Sequence, residues 1–477
     1  MKLNIKNNNW FVLTIVFLLC LVFAYAIGSF GFYGYAFVFG LIGFFILTYL
    51  IFQNPFFGIC LIVFCLPFER IPSIDIGIMN IKVNQIMGIA LLFFWWLSFI
   101  LNKAKIKNLT YFWVLIGFWT ILGISILFGY GDTSRSLMTY GLVIFTSMFS
   151  ILISQYLDTE DKLKKIIIIL FWSSLLVGVF GIFQFMGDIV GLPNNLTGLR
   201  EGYSKGVFGF PRIQAFSIEP LYLGNYLLIP LGVFISLFLA NIKIKYLSRP
   251  VLLGNIILLT IIAILTFSRG AWVAYASMLA VLILFLIKKF LNIKIIILGI
   301  IALAIISGSV LWFINRGEDR SLEEFMTRIT LSDATKSESV AGRITEYEKA
   351  LTIFEQNGSP FFGVGLGAYH IVKHNYPAPS SVEDWDIVNN EYIEMLVETG
   401  YIGLISFVLL LILIIWKSIV VFYRSKSMLV KYITIGFLAA FIGVLVQYNF
   451  FSTLYIIHIW VLIGLLLAMQ NLAQEKS

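Results

Sequence analysis

The chain has 477 residues, of which 60% are hydrophobic and only 12% charged, and its mean hydropathy is +0.95. A soluble globular domain carries about 25% charged residues, so the two or three soluble domains that length alone would suggest are excluded. The net charge of +8 is modest for this length and does not point to nucleic acid.

The apolar residues fall in runs close to the roughly 20 residues a spanning helix needs. Lipid cannot satisfy backbone polar groups, so such runs must be helices or closed barrels. Ile166–Leu170 and Val408–Ile415 show none of the period-two alternation of barrel strands. The expected fold is therefore all-α and polytopic, with about 14 transmembrane helices and one large extracytoplasmic loop containing short helices. In chain order the spans are expected near 10–27, 31–52, 54–68, 83–102, 110–130, 136–157, 166–189, 219–240, 250–267, 270–287, 295–314, 400–422, 430–448 and 452–470. The first resembles a signal peptide, since Lys2 and Lys6 precede an apolar core ending in Ala24-Tyr25-Ala26. The apolar run that follows at once favours an uncleaved span. The third is short enough to be re-entrant. Cys20, Cys60 and Cys65 all lie inside apolar segments and read as small packing residues rather than a disulfide framework.

Orientation follows from the basic residues of the short loops. Lys103, Lys105 and Lys107, then Lys162, Lys164 and Lys165, Lys243, Lys245 and Arg249, Lys288, Lys289 and Lys294, and Arg424, Lys426 and Lys431 occupy alternate loops. With Lys2 and Lys6 they share one side if both termini are cytoplasmic. The loops at about 190–218 and 315–399 then face outward. Three regions are expected: N-terminal helices over 1–189, a core over 190–410 that includes the 315–399 loop, and C-terminal helices over 411–477.

The motifs for metal and nucleotide chemistry are missing: there is no Walker loop, no HExxH, no paired CxxC, and only His370, His374 and His458. No metal and no cofactor is expected. Gly363-Val364-Gly365-Leu366-Gly367 imitates a nucleotide-binding glycine run but lacks a βαβ context. Asp384-Trp385-Asp386 reads as a solvated acidic turn.

The positive signals are arginines at the expected outer boundary. Arg212 precedes a span that opens with Glu219-Pro220, Arg269 sits in a turn with almost no loop around it, and Arg343 begins an amphipathic helix through Ile344, Tyr347, Ala350, Leu351 and Phe354. An arginine where helices meet water needs a partner, and its planar fork suits phosphate or carboxylate. Asn389-Asn390-Glu391-Tyr392 begins a helical run that Gly400 could stop, with Asn as N-cap and Glu391, Glu394 and Glu398 on one face. A carboxylate there could act as general base.

These segments resemble the O-antigen ligase/polymerase superfamily of bacterial membrane glycosyltransferases. Pro211–Tyr226 is similar to its Arg, Phe and Pro-Asn element, with Leu221 in place of that Asn. Thr266–Trp272 is similar to its Ser-Arg-Gly turn. Gly342-Arg343, Pro360–Gly367 and Asn390–Leu404 resemble its Gly-Arg, Pro-x-x-Gly-x-Gly-x-Gly and Asn-x-Tyr-x-x-x-Leu-x-Glu-x-Gly elements. The family's His before that Asn is Asn389 here, and Asn is no general base near neutral pH. The departure tilts the reading from ligase towards polymerase.

The resemblance implies an inner-membrane enzyme that transfers undecaprenyl-pyrophosphate-linked glycan to a sugar hydroxyl on the extracytoplasmic face, without metal or cofactor. Arg212, Arg269, Arg343, Tyr392 and His370 would contact pyrophosphate or glycan. Glu391, Glu219, Asn390 and Arg269 would carry the chemistry, with Glu391, Glu219 and His370 as bases to choose among. The partners implied are the lipid-linked glycan, the bilayer, a chain-length regulator and a flippase. The alternatives are a ligase with a lipid A-core or other surface acceptor, or a transporter of lipid-linked glycan. A transporter would place ionisable residues at mid-membrane, often with an internal repeat, and here they concentrate at helix ends and in loops.

Overall fold

The computed structural model describes residues 43, 46–70, 73–75, 80–100, 109–129, 133–204, 209–290, 338–357, 359–375, 387–452 and 454–474. In chain order these form α1 (Pro55–Cys65), a hairpin of β1 (Ser73–Asp75) and β2 (Asn80–Lys82), α2 (Val83–Ile100), α3 (Leu109–Leu127), α4 (Thr133–Tyr156), α5 (Glu160–Ile189), the short α6 (Asn194–Thr197), α7 (Pro220–Ala240), α8 (Arg249–Leu265), α9 (Arg269–Phe290), α10 (Glu338–Asn357), the short α11 (Tyr369–Val372), α12 (Glu391–Arg424), α13 (Met428–Gln447) and α14 (Ile457–Gln474).

Among the described residues eight helices are long and apolar enough to cross a membrane: α3, α4, α5, α7, α9, α12, α13 and α14. α1, α8 and the apolar stretch Gln85–Leu97 of α2 are shorter. The protein is an all-α, multi-pass membrane protein. The expected spans 10–27 and 295–314, most of 31–52, and residues 315–337 and 376–386 of the long loop lie outside the described residues, as does Asp384-Trp385-Asp386.

Local sequence sets the helix starts. Proline opens α1, α7 and α8, where its missing N–H has no intrahelical partner to lose. The Thr159 side chain accepts from Lys162 N at 3.3 Å and Glu160 and Asp161 fill the first turn, so α5 begins at Glu160 rather than near 166.

α7 and α14 form the centre of the bundle, with 94% and 89% of their apolar stretches buried, while α3, α9 and α12 are buried over only 28%, 33% and 33%. α13 packs against both α7 and α9, α14 against α4, and α12 against α3. Where α7 crosses α13 the backbones nearly touch: a Cβ on Gly232 would lie 2.4 Å from the Gly436 carbonyl oxygen. Two glycines make this approach possible, and lipid-embedded helices associate through such packing rather than through hydrophobic transfer.

Candidate active site at one end of the bundle

Loops from several helices converge at one end of α7, α9, α12 and α13. Arg212 lies in the segment that leads into α7. Its N–H donates to the Tyr203 carbonyl at 2.9 Å, its guanidinium lies 5.5 Å from the centre of the Tyr203 ring, and Ile213 N donates to Leu265 O at 3.1 Å, the end of α8. The segment is held from below by Gln184, buried in α5. Gln184 accepts from Ala215 N at 2.8 Å and donates to Ala215 O at 3.3 Å and Thr197 O at 3.1 Å. Glu219 then caps α7 by position, but its carboxylate makes no capping bond.

Arg269 is the first residue of α9. Only Thr266, Phe267 and Ser268 separate it from α8, and this turn is braced by Thr266 Oγ1 donating to Ala263 O at 2.7 Å and Trp272 Nε1 donating to the same carbonyl at 3.1 Å. Arg343 lies near the start of α10, which is pinned at its middle by the buried Glu346: Tyr369 Oη donates to it at 2.8 Å and Lys349 pairs with it at 3.2 Å. Asn390 is the N-cap of α12, as expected, its Oδ1 accepting from Tyr392 N at 3.0 Å and Ile393 N at 3.1 Å. Ala215, Phe267 and Asn389, one in each of three converging loops, have positive φ values of 46°, 47° and 59°. A side-chain-bearing residue held there costs about 1–3 kcal/mol, and such strain gathers at functional sites.

Arg212, Arg269, Arg343 and Glu219 come together. Burial depresses the Arg343 pKa below its ordinary value; Tyr347 opposes this, Arg269 adds to it, Glu219 opposes it and Arg212 adds to it. The guanidinium remains charged, because an arginine starts so far above neutrality. The Tyr203 hydroxyl is raised by burial and by Glu219, and lowered by Arg212 and Arg200. Arg343 Nε is buried without a hydrogen-bond acceptor among the described residues. Tyr347 completes this side, donating to Asn449 O at 2.7 Å and sharing with Asn389 O at 3.2 Å.

The other expected site residues stand apart. Glu391 is only 3% exposed and its backbone N–H donates to Tyr448 O at 2.9 Å. The Tyr392 hydroxyl donates to Leu445 O at 2.8 Å, inside the bundle. His370 sits on α11 against Arg135 of α4. Among the described residues no group of three His, Cys, Asp or Glu comes together as a metal-binding set.

Gly400 ends the first helical run of α12, as expected, and a second run begins directly after it. Its φ of 68° and ψ of −171° break α12 internally, and the chain resumes directly into the span. Across the break Tyr401 N and Ile402 N donate to Pro360 O at 2.9 Å and Phe361 O at 3.4 Å, while Val397 O and Glu398 O accept from Val364 N and Gly365 N, both at 2.9 Å. The Glu398 carboxylate accepts from Gly367 N at 2.8 Å and Tyr369 N at 3.2 Å. The glycine run therefore substitutes for one turn of α12. Gly363, Gly365 and Gly367 have φ values of 69°, 106° and 72°, which favour glycine.

Residues 447–452, between α13 and α14, touch the starts of α7, α9 and α12 and the helix that carries Arg343. Gln447 Nε2 donates to Leu221 O at 2.9 Å, Tyr448 O takes Glu391 N, Asn449 O takes the Tyr347 hydroxyl, and Ser452 Oγ accepts from Asn389 N at 3.0 Å. Phe450 lies against Gly270, where an added Cβ would be 3.0 Å from its side chain. The sequence reading missed this segment, together with Tyr203, Tyr347 and Gln184. A usable signal was Gln184 and Gln447 themselves, amides in otherwise apolar helices.

Fold and site together define a polytopic helical membrane protein with an arginine-lined polar site where its loops meet. Residues 254–408 match the family model Wzy_C, described as O-antigen ligase, so this part of the chain is similar to that family. The match covers Arg269, Arg343, Asn390 and Glu391; Arg212 and Glu219 lie before it. A Haemophilus influenzae protein described as uncharacterized is 24% identical over 225 residues, 46% of this chain and 55% of that protein, so the chain matches about half the length of this relative.

Proposed function

We propose that the protein is a membrane glycosyltransferase that polymerises undecaprenyl-pyrophosphate-linked repeat units into a surface polysaccharide. The observation that carries this reading is the convergence of Arg212, Arg269 and Arg343, with the buried Arg343 Nε meeting no acceptor among the described residues. Buried donors are almost always satisfied, and three guanidiniums match an anionic diphosphate better than a neutral sugar.

In the proposed reaction an acceptor sugar hydroxyl attacks the anomeric carbon of the donor glycan. The new C–O bond forms as the bond from that carbon to the pyrophosphate oxygen breaks, and the electron pair leaves with the pyrophosphate. The arginines stabilise that developing charge, at about 3–4 kcal/mol per well-placed donor. The hydroxyl proton passes to a carboxylate. Glu219 fits this role better than Glu391, because it makes no capping bond and acts electrostatically on both Arg343 and Tyr203. The alternation of basic loops supports placing the site on the extracytoplasmic face of the bacterial inner membrane with both termini cytoplasmic.

A ligase acting on a lipid A-core or other acceptor is the second reading, favoured by the description of the matched family. Asn389 in place of the family's His favours the polymerase. The test is deletion of the gene in its host and electrophoresis of surface and lipid-linked glycans. A polymerase leaves single repeat units on the final acceptor and no ladder. Long glycan stranded on undecaprenyl pyrophosphate means a ligase, and an unchanged pattern refutes both.

A further inference from the structure

Four buried polar side chains beneath the arginines take no part in the reaction above. Asn225 and Gln447 are 0% exposed, His458 1% and Glu69 6%. They come from α7, the end of α13, the start of α14 and the turn after α1, and form one chain. Gln447 Nε2 donates to Leu221 O at 2.9 Å, Asn225 Nδ2 donates to Gln447 Oε1 at 2.8 Å, Asn225 Oδ1 lies 2.6 Å from His458 Nε2, and Glu69 Oε1 lies 3.1 Å from His458 Nδ1.

The direction of each bond follows from one end. The Leu221 carbonyl can only accept, so Gln447 presents its amide nitrogen there and its oxygen to Asn225. Asn225 then gives its nitrogen to Gln447 and its oxygen to His458, and His458 Nε2 must carry a proton. Between Nδ1 and Glu69 a single proton is shared, giving either imidazolium with carboxylate or neutral imidazole with carboxylic acid. The couple has no net charge in either form, which suits a site inside apolar helices.

The chain ends on the parts of the site that matter. Leu221 is two residues after Glu219, and Gln447 begins the 447–452 segment that contacts Glu391, Tyr347, Asn389 and Gly270. We infer that Glu69, His458, Asn225 and Gln447 are positioning residues for glycan transfer, setting the first turn of α7, and with it Glu219, against the segment that binds Tyr347 on the helix carrying Arg343. This rests on the glycosyltransferase reading. The four do not touch the reacting atoms, and a polar chain of fixed direction specifies one register between helices that apolar contacts alone would leave free to slide.

The test uses the full-length protein, expressed in the deletion host and purified in detergent, with lipid-linked repeat units extracted from that host as substrate. Rates are taken per unit of inserted protein, with kcat and KM separated. Glu69→Gln keeps the direction of the chain, since its amide nitrogen donates to His458 Nδ1, and is expected within about 3-fold of the native kcat. Glu69→Leu and Gln447→Leu are expected to lower kcat at least about 10-fold, with KM changed less, because catalysis is more sensitive to geometry than binding is. Should the leucine variants fail to accumulate, Gln447→Asn decides: one methylene shorter, it cannot reach both partners and should show the same loss. Native kcat in Gln447→Asn or in the leucine variants overturns the inference. Equal inactivity of Glu69→Gln and Glu69→Leu also overturns it, in favour of a direct role for the carboxylate. If deletion of the gene leaves the host's glycans unchanged, the glycosyltransferase reading fails instead.

Discussion

Replacing Gly400 with alanine should disable the protein, because its backbone conformation and its closest neighbours both exclude a methyl group. With φ 68° and ψ −171°, Gly400 occupies a backbone region that is essentially restricted to glycine, and holding alanine there costs about 1–3 kcal/mol. The added Cβ would lie 2.3 Å from the Phe361 carbonyl carbon, 2.4 Å from its oxygen and 2.5 Å from Phe362 N. These are backbone atoms fixed by the exchange of hydrogen bonds across the break, so no side chain can rotate away. Overpacking of this kind adds about 1–3 kcal/mol. Relief requires the 359–367 loop to move off α12, releasing the bonds to Tyr401 N, Val397 O and Glu398 O. The total penalty is then about 2–6 kcal/mol. The assay is thermal denaturation of the detergent-purified protein beside the glycan ladder it supports in the deletion host. Gly117→Ala is the control: it sits in α3 with nothing within 4 Å of an added Cβ, and should be neutral or stabilise by up to about 1 kcal/mol. A Gly400→Ala protein as stable and as active as Gly117→Ala would refute the exchange of hydrogen bonds as the reason for the glycine.

Arg269→Ala and Arg343→Ala should each reduce glycan transfer about 10²–10³-fold while the protein remains inserted, measured as ladder intensity per unit of immunoblotted protein. Gln184→Leu removes a side chain that bonds both to the Ala215 backbone and to Thr197 O. It should destabilise the protein by about 2–4 kcal/mol by leaving buried backbone groups unsatisfied, with the Arg212 segment gaining protease sensitivity in limited proteolysis. Tyr347→Phe loses the hydroxyl that meets Asn449 O and Asn389 O. It should cost about 1–2 kcal/mol in thermal stability and lower kcat, and an unchanged kcat would remove Tyr347 from the site.

The helices were legible because lipid imposes a single constraint on every span, and runs such as 110–130 and 430–448 meet it almost residue for residue. Arg212, Arg269 and Arg343 were legible for the opposite reason, as charges where a membrane boundary gives a side chain few places to go. Where Tyr392 and His370 would bond was not legible: the tyrosine spends its hydroxyl on a bundle carbonyl, that of Leu445, and the histidine lies against Arg135. Gly400 illustrates a different limit. A glycine after a helical run signals a stop from local chemistry, whereas its role as a break bridged by Pro360–Gly367 depends on a loop more than 30 residues away in sequence. The Glu69–His458–Asn225–Gln447 chain is harder still to foresee, since its members are separated by up to 389 positions.

The position of residues 447–452 in the chain has a consequence for how the protein is made. Arg212, Arg269, Arg343 and Glu391 are all synthesised before this segment, yet it supplies backbone or side-chain contacts to the parts that carry them. Asn225 likewise enters the bilayer within α7 long before Gln447 and His458 exist to bond it. A single unpaired amide in hydrocarbon costs a few kcal/mol, which the apolar remainder of α7 offsets. Activity therefore cannot grow span by span as the ribosome proceeds. It arrives in one late step, when α13 docks against α7, and a nascent chain halted before Gln447 would carry its arginines without the segment that braces the elements around them.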